Sequence, residues 1–245
     1  MNLIFTFFIK IFIIRMVMNM KKTFLSLKIY EWIYLVFWCV LISILSLFNK
    51  SSIFAIMSSV FGIIAAVLNI KNNRYAFFFF ALYASSYGII AFINHNYGEG
   101  ILNLFYNTPL YIFTIYNLFF SKKVKEGNSS IKALSSKEWI IIAIIIPLVS
   151  VVYGFVLSRF ENSNLPYINA LATGFAIISS FLASRRNKDQ WYFWIGYALV
   201  VVYIWLYSQG ERVYLFLNIF YLLNNSLGLY LWMKAYKKER LESNN

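Results

Sequence analysis

Leu102-Asn103-Leu104-Phe105-Tyr106 returns as Leu217-Asn218-Ile219-Phe220-Tyr221, 115 positions later. The same offset carries Ala55 onto Ala170, Ile63 onto Ile178, Asn72 onto Asn187 and Phe78 onto Phe193. Each copy of the echo lies in a block of three long apolar stretches, and a single such stretch separates the blocks. Short apolar words recur by chance in a chain this rich in Leu, Ile, Phe and Tyr. The placement of both copies in corresponding stretches is what gives this echo weight. A duplicated three-span unit in a membrane chain is the plan of a transporter whose site lies between two halves.

Working outward, the chain is 61% hydrophobic and 13% charged, with a mean hydropathy of +0.66. Soluble domains carry about 25% charged residues, so the composition is that of an all-α polytopic membrane protein. Eight spans are expected, at about 30–48, 52–70, 75–94, 98–120, 139–158, 166–184, 191–208 and 212–233. Each is near the roughly 20 residues needed to cross the hydrocarbon. Residues 1–50 read as an N-terminal extension with an extra span, and 51–120 as the first three-helix repeat. Residues 121–160 read as a basic loop and linker helix, and 161–245 as the second repeat with a basic tail. Residues 1–19 are apolar but carry Lys10 and Arg15, which favours an interfacial or non-native extension over a ninth span.

The net charge of +13 sits mainly in alternate loops, so it reads as membrane orientation rather than a nucleic-acid footprint. Lys71 and Arg74 follow the second span, and Lys122 through Lys137 the fourth. Arg185, Arg186 and Lys188 follow the sixth, and Lys234 through Arg240 the eighth. The positive-inside rule then places both termini in the cytoplasm. With one span between them, the two repeats run parallel, related by an axis along the membrane normal.

All nine acids read as lying at span ends or in loops. Intramembrane carboxylates are the usual carriers of coupled ions, so passive alternating access is expected. No paired carboxylates or nucleophile–base dyad is placed for an enzyme, and one Cys and one His leave little for a metal or a cofactor to bind. The candidate site is neutral. Asn103 and Asn107 share a face at i, i+4, with Tyr106 beside them; Asn218 and Asn225 share another at i, i+7, with Asn224 adjacent. An amide at membrane depth needs a partner, and interhelical glue and a polar cavity are both open to it. Tyr83 and Tyr87 are again i, i+4. Trp191 and Trp194 fit either an interfacial aromatic belt or a stacking surface for a flat heteroaromatic ring.

The stretch Ala183-Ser184-Arg185-Arg186-Asn187-Lys188-Asp189-Gln190-Trp191-Tyr192-Phe193-Trp194 resembles a loop and helix start of the Pnu vitamin transporter family, whose best-known members are PnuC-like nicotinamide riboside transporters. It combines a basic loop, an acid two residues before a Trp, and Trp-x-x-Trp. Gly210 is similar to the family's following turn glycine, and Gly228-x-x-x-Trp232 to its closing Gly-x-x-x-Trp. In the first repeat Pro109 to Phe120 is similar, with Thr114 and Leu118 where Gly and Trp often stand. The resemblance covers roughly residues 52–238. It implies three helices, a linker helix and three helices, a homotrimer, and downhill passage of an unphosphorylated vitamin or nucleoside. It raises Trp191 and Trp194 to leading site residues. Members for nicotinamide riboside often carry Asn seven residues after the first Trp; Ala198 stands there, which leaves thiamine, riboflavin and deoxynucleosides open. A sugar carrier with the same repeat plan and a non-transporting binding subunit are the other readings.

Overall fold

The computed structural model describes residues 27–71, 73–120, 131–208 and 210–243. The expected extension at 1–19 and most of the basic loop after the fourth span lie outside the described residues. Within them the chain is helical, and its one β-type contact is an isolated parallel bridge between Lys132 and Asn187. The helices are α1 (Ile29–Phe48), α2 (Ile53–Ile70), α3 (Ala76–Ile93), α4 (Tyr97–Ile101) and α5 (Thr108–Phe120), then α6 (Ser136–Leu157), α7 (Pro166–Ser184), α8 (Gln190–Tyr207) and α9 (Val213–Ser243). Between α4 and α5 the chain does not leave the helix: Leu102–Asn107 is a π-helical segment, so 97–120 is one rod. Helix bounds agree with the expected spans to within a few residues, except that α9 continues ten residues further as a polar tail.

Local chemistry explains where the helices start. Ser52 caps α2 by accepting from the Ala55 N–H at 3.2 Å. Ser135 caps α6, with Glu138 reaching back to the Ser135 N–H at 2.7 Å, a reciprocal pairing that satisfies two orphan donors. Pro166 opens α7 as its first residue, where its missing N–H costs nothing.

Pro109 has the opposite effect. It cannot return an N–H to Phe105, and the turn before it is widened: the Thr108 N–H bonds the Asn103 carbonyl five residues back. Such π turns are commonly found at functional sites. Gly88 on α3 lets this segment come close, since a Cβ there would lie 3.1 Å from the Leu104 backbone nitrogen.

Among the described residues, six helices, α1 to α3 and α6 to α8, are long and apolar enough to cross a membrane. Their outer faces are greasy: Ile33, Phe37 and Val40 on α1 and Ile140, Ile144 and Leu148 on α6 are all exposed. Water would penalise such faces; lipid does not. α2 packs on α3 and α3 on α5; α7 packs on α8 and α8 on α9. α6 leans on α7, and α1 covers α2 and α9. The two blocks meet reciprocally. The last helix of the second, α9, packs on α2, and the last rod of the first, through α4, packs on α7. Between the blocks lies the main core, where Tyr87 and Ile90 meet Trp205, Tyr214 and Phe220.

Candidate functional site

A small cavity with an open mouth lies between the blocks. Each wall follows from an element already described. α8 supplies Trp191, Trp194 and Tyr197, which recur every three residues and so share one face. The π segment supplies Asn103 and Asn107; α9 supplies Tyr221, Asn224 and Asn225. α3 contributes Phe80 and Tyr83, α2 Ala66 and Asn69, and α5 Tyr111. None of these walls carries a charged side chain.

Trp191 is held from three sides. Gly228 faces its ring, and a Cβ at that glycine would fall 2.6 Å from Trp191 Cζ3. Trp232, one turn on, meets the ring edge-to-face at 6.0 Å and 68°, the geometry that a ring quadrupole favours. Ile131 packs on the same pair. The linker bearing Ile131 is pinned by main-chain bonds: the Lys132 N–H donates to the Arg186 carbonyl at 3.0 Å and the Lys188 N–H to the Lys132 carbonyl at 2.9 Å. Asp189 completes the clasp. Buried, it accepts the Leu134 N–H and the Lys188 ammonium, at 2.7 and 2.5 Å. The acid two residues before the first Trp therefore anchors the linker beside the site.

The amides form a ladder. Asn103 Nδ2 donates to the Glu99 carbonyl at 2.9 Å, and Asn107 Nδ2 to Asn103 Oδ1 at 3.0 Å. Asn225 Nδ2 donates to the Trp194 carbonyl at 3.1 Å, and Asn224 Nδ2 reaches the Ala66 carbonyl at 3.5 Å. What the ladder leaves over is informative. The indole N–H groups of Trp191 and Trp194 and the amide oxygens of Asn107 and Asn224 are buried, with no partner among the described residues. The Tyr221 hydroxyl is left over in the same way, so two N–H donors, two amide acceptors and one hydroxyl remain in an aromatic cavity, and buried polar atoms are ordinarily paired.

Seven residues expected from sequence stand together here: Trp191, Trp194, Asn103, Asn107, Asn224, Asn225 and Tyr83. Three do not reach the wall. Tyr87 lies behind Tyr83, stacked on it at 5.2 Å and 8°. Asn218 is buried, its Nδ2 spent on the Tyr214 carbonyl at 2.8 Å. Tyr106 is half-buried against the core; its partner in the echo, Tyr221, takes the place in the wall. The belt reading of Trp191 fails, because its side chain is 1% exposed. Tyr197 and Tyr221 went unforeseen, although the three-residue spacing after Trp194 and the echo itself both pointed at them.

Glu99 is the main correction. It is expected at a span end or in a loop, yet the turn of helix that carries it is packed against α7, and the residue is fully buried. Its Oε2 accepts from Tyr197 OH at 2.6 Å and from Tyr87 OH at 3.0 Å. The Trp205 indole donates in turn to the Tyr87 hydroxyl at 3.0 Å. A carboxyl buried inside the bundle is therefore present one turn from the cavity, which a reading of the acids as span-end or loop groups does not foresee.

A helical bundle with greasy outer faces and an uncharged aromatic–amide cavity between two blocks is that of a multi-pass membrane transporter for a small solute. The profile of the family described as Nicotinamide mononucleotide transporter matches residues 52–234, and the chain belongs to this family. The chain is 25% identical over 186 residues to the nicotinamide riboside transporter PnuC of Haemophilus influenzae, covering 75% of this chain and 80% of the relative. It is 23% identical over 218 residues to the nicotinamide riboside transporter PnuC of Neisseria mucosa, covering 85% and 82%. A crystal structure of the vitamin B3 transporter PnuC superimposes with a TM-score of 0.73 at 22% identity, over 87% of this chain and 94% of that one. That likeness speaks for the fold.

Proposed function

We propose that the chain carries nicotinamide riboside across the membrane by alternating access, as an entry route for an NAD precursor. The observation that carries this reading is the cavity's chemistry. Flat Trp faces suit a pyridinium ring, which gains from the ring quadrupole as well as from stacking. The unpartnered indole N–H groups suit acceptors on a carboxamide or ribose, and the Asn107 and Asn224 oxygens suit its hydroxyls. Relatives are named for the riboside and the family for the mononucleotide; the absence of any charged wall residue favours the riboside. A phosphate carries nearly two negative charges at neutral pH, and burying them without a cation is costly.

The reciprocal packing of α9 on α2 and of α4 on α7 supports a reading of eight spans in a 3+1+3 plan, with α1 as the extra span and α6 as the linker. One block then rocks against the other around the cavity. The basic loops support cytoplasmic termini, and the family resemblance supports a homotrimer. Ala198 supports a second reading, in which the same cavity takes thiamine, riboflavin or a deoxynucleoside.

Titration calorimetry of the purified chain against nicotinamide riboside, the mononucleotide, thiamine, riboflavin and a deoxynucleoside tests this. The riboside is expected to bind, the mononucleotide to bind at least about a hundredfold more weakly, and Trp194→Ala to weaken the riboside about tenfold or more. Equal binding of the mononucleotide, or a different vitamin alone, would overturn the assignment.

A further inference from the structure

Two acids are deeply buried among the described residues, and they are built differently. Asp189 has the Lys188 ammonium at 2.5 Å. Glu99 has hydroxyls alone on Oε2, and its Oε1 has no partner. The directions of these bonds fix the chemistry. An indole N–H only donates, so the Trp205 bond occupies the Tyr87 oxygen and turns the Tyr87 hydrogen toward Glu99. The Tyr197 hydroxyl holds the same Glu99 oxygen, Oε2, at 2.6 Å. Among the described residues, Glu99 Oε1 is left without a donor and without a cation beside it, so the group has room for a counter-charge that its own surroundings do not supply.

Glu99 is also wired to the cavity. Tyr197 forms part of the wall with its ring while its hydroxyl holds Glu99. Asn103 forms part of the wall while its amide holds the Glu99 carbonyl. A carboxyl thus stands one residue behind a cavity whose own wall is uncharged, in surroundings of low dielectric where the field of its ionised form reaches far.

We infer that Glu99 is a fixed counter-charge that selects a cationic ligand over an uncharged one of the same outline. It touches no substrate; it acts through Tyr197 and the space behind it, as a specificity-determining residue. The inference rests on the riboside reading above. Nicotinamide riboside carries a permanent positive charge on its pyridinium ring, and its 1,4-dihydro form keeps the sugar, carboxamide and outline without that charge.

The test measures the affinities of both forms for the full chain by calorimetry in detergent, for wild type, Glu99→Gln and Glu99→Asp. Wild type is expected to prefer the cation. Glu99→Gln is expected to weaken the cation about tenfold while the dihydro form changes less than about twofold. Glu99→Asp, which keeps the charge but withdraws it by a methylene, is expected to give an intermediate ratio, and it stands in if Glu99→Gln does not fold. A purely structural strut would weaken both forms alike. Equal loss for both, or an unchanged ratio in either variant, overturns the inference and leaves the riboside reading standing. Binding of neither form by wild type overturns both.

Discussion

Gly228 has no side chain where Trp191 needs the room, and that pairing makes a sharp test. A methyl at 228 would sit 2.6 Å from the ring, so the ring must shift or the helices part. In an exposed helix Gly→Ala gains about 1 kcal/mol; here overpacking is expected to win, at about 1–3 kcal/mol. Gly228→Ala is therefore expected to lower the melting temperature and to weaken riboside binding about tenfold, both read from one ligand-titrated thermal melt. Unchanged binding would mean that the Trp191 position is not set by this contact. At this scale the sequence was informative where residue type limits the choice. A Trp pair at i, i+3 and amides in an apolar span have few low-cost placements. It was uninformative for Glu99, because a carboxyl three residues into a span looks the same whether it faces water or two tyrosines, one 12 positions before it and one 98 after. For Tyr106 and Tyr221 the echo assigned equal roles, and packing separated them.

Among the elements, the π segment is where two copies of one word diverge. Leu102–Asn107 is π-helical while Leu217–Tyr221 lies inside the α-helix Val213–Ser243. Yet both copies keep the same local bond, Asn103 to the Glu99 carbonyl and Asn218 to the Tyr214 carbonyl. The difference follows the echo: Pro109 withholds an N–H, and its counterpart Asn224 does not. No hydrophobic period announces such a turn, so sequence showed the rod and not its widened middle. Pro109→Ala restores the donor. It is expected to leave the melting temperature equal or higher and to lower riboside affinity several-fold, as Asn103 and Asn107 turn with the tightened helix. The linker clasp is a second element that periodicity does not reveal, since it rests on one carboxylate and an isolated bridge. Asp189→Asn removes a buried charge-assisted acceptor and is expected to cost about 1.5–3 kcal/mol, seen as a lower melting temperature.

For the whole molecule, the expected spans fall on helices, six of which among the described residues are long and apolar enough to cross a membrane, because lipid imposes length and apolarity on every crossing. How the blocks pack was beyond the sequence, since it depends on contacts such as α9 on α2 that join residues more than 100 positions apart. Glu99 bears on energetics here. It is buried on two tyrosine hydroxyls inside the bundle. If that carboxyl acts only as a counter-charge, riboside entry runs downhill, with initial rates unchanged when the pH gradient alone is collapsed by an electroneutral exchanger at fixed membrane potential. The measurement that tests the central claim most directly is counterflow in proteoliposomes preloaded with nicotinamide riboside. Labelled riboside outside is expected to accumulate transiently in wild type, to be blocked by excess riboside but not by excess mononucleotide, and to fail with Trp194→Ala. Accumulation that the mononucleotide blocks equally, or that survives Trp194→Ala undiminished, would contradict a carrier working through this uncharged aromatic cavity.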